Sequence, residues 1–188
     1  MKPRVFIVHR WDGSFDEPLY RWLEKNLDKK GYEVKVLEMP NPEHPAIETW
    51  VQHLLKAVGH SDESTHFIGH SVGCQTILRY LQELPSMSKV GKIVLIAPWI
   101  HLQGIEKEGP EVKKIAKPWL ETPINWKKII GHTENFVCIF SDNDYYVSLS
   151  DAKIFKSELR ARIIIEKNKG HFTEDDGVKK LPSVVKEF

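Results

Sequence analysis

One stretch constrains the fold more than any other: Thr65-His66-Phe67-Ile68-Gly69-His70-Ser71-Val72-Gly73-Cys74. An apolar strand runs straight into Gly-x-Ser-x-Gly and then into a helix. Such a turn holds its serine in a strained backbone conformation with Oγ exposed. Strand and helix cross closely there, so Gly69 and Gly73, two positions to either side of Ser71, must carry no Cβ. Val72 opens the helix, and its N–H can stabilise an oxyanion. Eleven glycines in 188 residues can also produce the pentapeptide by chance. The alternative is then a glycine-rich strand end with a buried serine, and the rest of the chain must decide.

Short apolar runs alternate with helical periodicity throughout. Val5-Phe6-Ile7-Val8 is continuous and suits a strand covered on both faces. The loop His9-Arg10-Trp11-Asp12-Gly13-Ser14 follows. Leu19, Trp22, Leu23 and Leu27 predict a helix that stops at Gly31. Residues 32–39 alternate, with Val34 and Val36 on one face and Glu33 and Lys35 on the other, as an edge strand does. Ile47, Trp50, Val51, Leu54, Leu55 and Val58 predict an amphipathic helix ending at Gly59. The helix after Ser71 carries Ile77, Tyr80, Leu81 and Leu84 and ends at Pro85. Residues 92–97, 136–140 and 162–165 read as strands and 149–159 as a helix, while Leu181, Val184, Val185 and Phe188 predict a last helix. Only residues 99–135 are irregular, with three tryptophans, several prolines and room for two short helices.

This alternation argues for an open, mostly parallel sheet with helices on both faces, a three-layer α/β/α sandwich. No repeat or linker divides it, so residues 1–188 read as a single domain. In such sheets function collects at the carboxyl ends of the strands. Three candidate groups stand at such ends: Ser71, an Asp cluster at 142–144, and His171.

Composition narrows the partners. A net charge of +1 with no basic run gives no reason to expect nucleic acid or a membrane surface. Apolar runs of four to six residues are far short of a membrane span. Met1-Lys2-Pro3-Arg4 leads directly into a strand, without the length or cleavage site of a signal peptide. The reading is a cytoplasmic protein whose two cysteines, Cys74 and Cys138, are buried thiols rather than a disulfide.

The order Ser…Asp…His, each at a strand end, is that of the α/β-hydrolases. Four stretches carry a closer likeness: His9 to Ser14 with its strand, Gly69-His70-Ser71-Val72-Gly73, Phe140-Ser141-Asp142-Asn143-Asp144 running to Val147, and Gly170-His171-Phe172. In these the chain resembles the small, nearly lidless serine hydrolases of the YdeN and retinoblastoma-binding-protein type, over essentially its whole length. The resemblance implies a six-stranded sheet of order 2-1-3-4-5-6, the common hydrolase sheet without its first two strands. The first and third strands are then neighbours, and the first loop lies beside Ser71. It also implies a serine hydrolase of small carboxylic esters or amides, acting through an acyl-enzyme with no cofactor.

Ser71 is the expected nucleophile. A serine hydroxyl needs an adjacent base, and an imidazole that titrates near neutral pH can take and return the proton. His171 is the candidate, through its neighbours Gly170 and Phe172 and its place after the last strand. His70 adjoins Ser71 but is expected to point away and to pack or hydrogen-bond. The family pattern puts the acid four residues into its loop, three before Val147, which selects Asp144 over its rival Asp142. Asp142-Asn143-Asp144 lacks the glycine and distal glutamate of a calcium loop, so no metal is expected. Glu174-Asp175-Asp176 reads as a solvated helix start. The oxyanion donors are expected to be the N–H groups of Val72 and Trp11. Here the chain departs from the family, because Arg10 stands where glycine follows the histidine, and an arginine resists positive φ.

That departure supports a second reading, a non-catalytic binding module on the same fold. The Leu-x-Cys-x-Glu docking pattern does not occur, so the retinoblastoma-protein partner does not carry over. A flavodoxin-like cofactor binder lacks its phosphate-cradling loop. The segment between the fourth and fifth strands has fewer than forty residues, too few to enclose a long acyl chain. Its tryptophans, Trp99 foremost, and Trp11 opposite can wall a shallow pocket for a small acyl or aromatic end. The alternative is that these tryptophans only bury the segment against the body.

Overall fold

The structure, a computed structural model, describes residues 2–188. Six parallel strands form one sheet: β1 (Arg4–Val8), β2 (Glu33–Leu37), β3 (Thr65–His70), β4 (Ile93–Ile96), β5 (Phe136–Ser141) and β6 (Arg162–Glu166). Their order is β2-β1-β3-β4-β5-β6, as expected. The chain steps outward from β1 to β2, then returns to build from β3 in the other direction. The crevice at such a reversal lies between β1 and β3, where Val8 is in register with Gly69. The serine turn and the loop after β1 therefore leave the sheet side by side.

Among the described residues seven α-helices accompany the strands: α1 (Pro18–Lys29), α2 (Ile47–Val58), α3 (Val72–Glu83), α4 (Pro110–Glu121), α5 (Trp126–Ile130), α6 (Leu149–Leu159) and, after β6, α7 (Pro182–Val185). α1 packs on α7, while α2, α3, α5 and α6 pack in series. The two groups cover opposite faces. β4 and β5 are buried at every residue, so they read as apolar runs, with Ser141 closing β5 as its one polar residue. β2, at one edge, alternates exposed and half-buried positions, as its sequence predicts. α1 and α2 turn Leu19, Leu23 and Leu27, and Trp50, Leu54 and Val58, into one core. Gly59 caps α2 at φ 62°, a conformation open to glycine at little cost.

Two elements differ from expectation. The irregular segment contains a twelve-residue helix, α4, as well as the short α5. Pro118 lies inside α4 and obscures the Val112, Ala116 and Trp119 periodicity. The C-terminal helix spans only Pro182–Val185, because Phe188 instead leaves it to stack edge-on against Tyr32 and His66. Both cysteines are free, buried thiols. Among the described residues, no helix is long and apolar enough to cross a membrane.

Candidate active site

Ser71 sits between β3 and α3 at φ 53°, ψ −116°. This is the strained region that Gly-x-Ser-x-Gly predicts. Ser71 N–H donates to Ile96 O (2.9 Å), and its own carbonyl accepts from Cys74 N–H (2.9 Å), so the turn is fixed from both sides. A Cβ on Gly73 would lie 2.3 Å from the Val8 carbonyl oxygen. Any side chain there would push α3 off β1 and open the turn.

His171 follows β6 and is buried, with Asp144 behind it. Its Nδ1 donates to Asp144 Oδ2 at 2.9 Å and Oδ1 at 3.1 Å. The carboxylate also accepts from the N–H groups of Tyr146 (2.9 Å) and Val147 (3.0 Å). A carboxylate partner places the proton on Nδ1 and leaves Nε2 as the basic nitrogen. Asp142 bonds elsewhere, its Oδ1 accepting from Asn168 N–H at 2.8 Å. Asn143 Oδ1 accepts from Gly170 N–H (2.9 Å), so the two residues before Asp144 tie the β5 loop to the turn bearing His171.

The acidic run is not a helix start. Asp176 folds back, and its Oδ2 accepts from His171 N–H (2.8 Å), Thr173 N–H (3.1 Å) and Thr173 Oγ1 (2.8 Å). A three-residue acidic run looks like solvated surface, and its spacing carries no sign of this contact. His70 is fully buried. Its Nε2 donates to the His171 carbonyl oxygen (2.9 Å), and its Nδ1 accepts from Tyr20 Oη (2.8 Å). Burial holds the pKa of His70 well below that of a free histidine, with His171 nearby acting the same way, so the ring is neutral and those roles are fixed. Tyr20 lies on the apolar stripe of α1, which reads as core, and nothing in its spacing announces the hydroxyl's use.

The loop after β1 is held at Arg10. Arg10 N–H donates to Tyr20 Oη (3.2 Å), and its carbonyl accepts from His9 Nδ1 (2.8 Å). The Arg10 guanidinium pairs with Glu17 (3.1 Å) and donates to the Trp11 carbonyl (3.1 Å). Asp12, not Arg10, takes the positive φ of this loop. The departure at position 10 is thus accommodated without backbone strain, by a side chain that brackets Trp11. The N–H groups of Asp12, Gly13 and Ser14 go to Pro42 O, Arg10 O and Glu17 Oε1. Among residues 10–14, only the Trp11 N–H has no partner within the described residues.

Ser71, His171, Trp11 and Trp99 line one cavity of about 340 Å³, with Tyr145 and Tyr146 on its wall. Burial raises the pKa of both tyrosines, and the neighbouring Glu108 helps push Tyr146 to about 12. Both phenols are therefore neutral walls. The tryptophans divide between the two expected roles. Trp99 is buried with Nε1 donating to Ser71 Oγ (3.3 Å). Trp119 instead packs on Trp50 and donates to Pro45 O, and Trp126 packs on Phe155.

Fold and site together define a class. A parallel 2-1-3-4-5-6 sheet with a serine on a strand-to-helix elbow is an α/β-hydrolase. The chain belongs to the serine hydrolase family, whose model matches residues 5–188. It is similar to YdeN of Bacillus subtilis (strain 168), with 30% identity over 184 residues, 98% of this chain and 93% of YdeN. The crystal structure of the ydeN gene product from B. subtilis matches with a TM-score of 0.87 and 28% identity, covering 97% of this chain and 95% of that one. The serine hydrolase RBBP9 of Rattus norvegicus is 24% identical over 154 residues, 81% of this chain and 77% of that protein.

Proposed function

We propose that the protein hydrolyses small carboxylic esters or amides through an acyl-enzyme on Ser71. The observation that carries this reading is the two-oxygen hydrogen bond from His171 Nδ1 to Asp144, with Ser71 lining the same cavity as His171. Ser71 Oγ attacks the carbonyl carbon while His171 Nε2 takes its proton. Asp144 keeps the imidazole in the Nδ1–H tautomer and balances the imidazolium that forms. The oxyanion receives the N–H groups of Val72 and Trp11, each worth about a hundredfold or more in such sites. His171 then gives its proton to the leaving alcohol or amine. Water enters by the same base and releases the acid.

The aromatic walls and the modest cavity favour a small acyl or aromatic group. A chain-length series of p-nitrophenyl esters should give a kcat/KM maximum at about two to six carbons. A maximum at long chains, or activation at a lipid interface, would point to a lipase-like groove instead. The reaction class is tested by a fluorophosphonate probe with intact-mass readout. One adduct per chain is expected, at Ser71, and Ser71→Ala should abolish it. Labelling elsewhere, or none on folded protein, would favour a binding module. Arg10 is the one feature that speaks for that module; the positive φ of its loop falls on Asp12 instead, which supports the enzyme reading.

A further inference from the structure

We propose that Trp99 is a catalytic hydrogen-bond donor, its indole N–H serving Ser71 Oγ chiefly as that oxygen leaves the acyl-enzyme; the proposal rests on the acyl-enzyme reading above. The indole is buried and aims Nε1 at Ser71 Oγ from 3.3 Å. A wall residue has no need of that direction, since an apolar pocket is served by any face of the ring.

The loop that carries the indole is tightly held. Ala97, at φ 47°, donates its N–H to Ile139 O (2.8 Å) at the end of β4. The Trp99 carbonyl accepts from Gln75 Nε2, and Gln75 in turn accepts from the buried Arg79. The next two N–H groups, of Ile100 and His101, donate to Asp151 Oδ2 at 2.6 and 2.9 Å. Asp151 is a fully buried carboxylate with no solvent to compete for it. Its position in the first turn of α6 reads in sequence as an ordinary helix-start acid. The Ala97 bond before the indole, and Gln75 and Asp151 after it, thus fix the backbone on both sides, which makes the donor preorganised.

A donor accelerates only the step in which its bond is stronger in the transition state than in the ground state. In the free enzyme Ser71 Oγ is a hydroxyl, a good acceptor, and the indole bond already exists. Attack therefore gains little. In the acyl-enzyme the same Oγ is the alkyl oxygen of an ester, a poor acceptor. After water has added, the tetrahedral intermediate collapses: the C–Oγ bond breaks and its electron pair moves onto Oγ. The proton arrives from His171 Nε2–H, and the carboxylic acid is released. Negative charge grows on Oγ before that proton lands, and the indole N–H meets it. The indole proton is not transferred. Losing the donor should slow deacylation more than acylation.

The test is pre-steady-state and steady-state hydrolysis of p-nitrophenyl acetate by wild type and Trp99→Phe, with rates normalised to fluorophosphonate-titrated sites. With deacylation slowed, kcat and KM should fall together by about tenfold, the scale of one hydrogen bond, while kcat/KM changes less than about threefold. The initial burst of nitrophenol should become more pronounced. Replacing Trp99 by 3-benzothienylalanine keeps the bicyclic shape and removes only the N–H. It should give the same signature even if Trp99→Phe folds poorly. An unchanged kcat in the benzothienyl variant overturns the proposal. A rise in kcat/KM does so as well, because the indole would then be restraining the resting serine. If wild type shows neither burst nor probe labelling, the acyl-enzyme reading falls and takes this proposal with it.

Discussion

The end of β3 and the turn after β6 each bring a buried histidine to the same place. The rings of His70 and His171 lie 5.6 Å apart, yet their surroundings prepare them for opposite uses. His70 gives one nitrogen to a carbonyl and the other to a phenol, so both are committed. His171 gives Nδ1 to a carboxylate, and its other nitrogen has the cavity beside it. A neutral acceptor and donor hold an imidazole still. A carboxylate also stabilises the imidazolium, which proton transfer requires. In the mechanism proposed above, the partners, and not the burial that the two rings share, separate a strut from a base.

The largest break in this comparison should come from His171→Ala. Loss of the base should lower kcat by about a thousandfold or more, measured on an activated ester with correctly folded protein. A loss of that size at His70 and a small one at His171 would reverse the assignment. Asp144→Asn should approach the same loss while keeping the fold, because an amide cannot hold the Nδ1–H tautomer and also balance the imidazolium. Circular dichroism and thermal melting would check that the fold is kept.

A smaller effect of another kind is expected at His70→Leu. It leaves the His171 carbonyl and the Tyr20 hydroxyl buried without this partner, at a cost of about 1–3 kcal/mol in unfolding free energy. Per titrated site, kcat should fall by less than about tenfold. A larger drop would mean that His70 does more than hold the backbone of His171.

Buried neutral histidines should also make stability respond to acid. Burial lowers the pKa of His70 and of His9, so the unfolded chain takes up protons there that the folded chain refuses. Stability from these groups is therefore fully present above the unfolded value of about 6.5. It is lost as pH falls from there toward the folded values, at up to about 1.4 kcal/mol per pH unit for each histidine. Urea denaturation between about pH 7 and pH 5 would measure the slope, and His70→Leu should flatten it. A stability that rose on acidification would contradict the neutral assignment. The smallest effect should be at Asp142→Asn. The amide oxygen can still accept from Asn168 N–H, and kcat should change by less than about threefold.

Much of this site could be located from sequence because its signals are local. Alternating apolar runs and helical stripes set the six strands and their order along the chain, and the Gly69-x-Ser71-x-Gly73 spacing marked the elbow through the close approach of β1. Residue types at strand ends marked Ser71, the 142–144 cluster and His171. Which partner each of these meets is decided elsewhere. Asp142 and Asp144 differ by two positions, and only the approach of the turn at 168–171 sends one to Asn168 and the other to His171. Tyr20 and Asp176 look like core and surface until the fold brings His70 and the His171 amide against them. Trp99 and Trp119 belong to one segment and have similar burial, yet one reaches Ser71 and the other Pro45. Periodicity and spacing are properties of a few neighbouring residues and survive in the sequence. A hydrogen bond between groups 27 or 101 residues apart exists only once the strands are in register, so the tertiary structure alone assigns it.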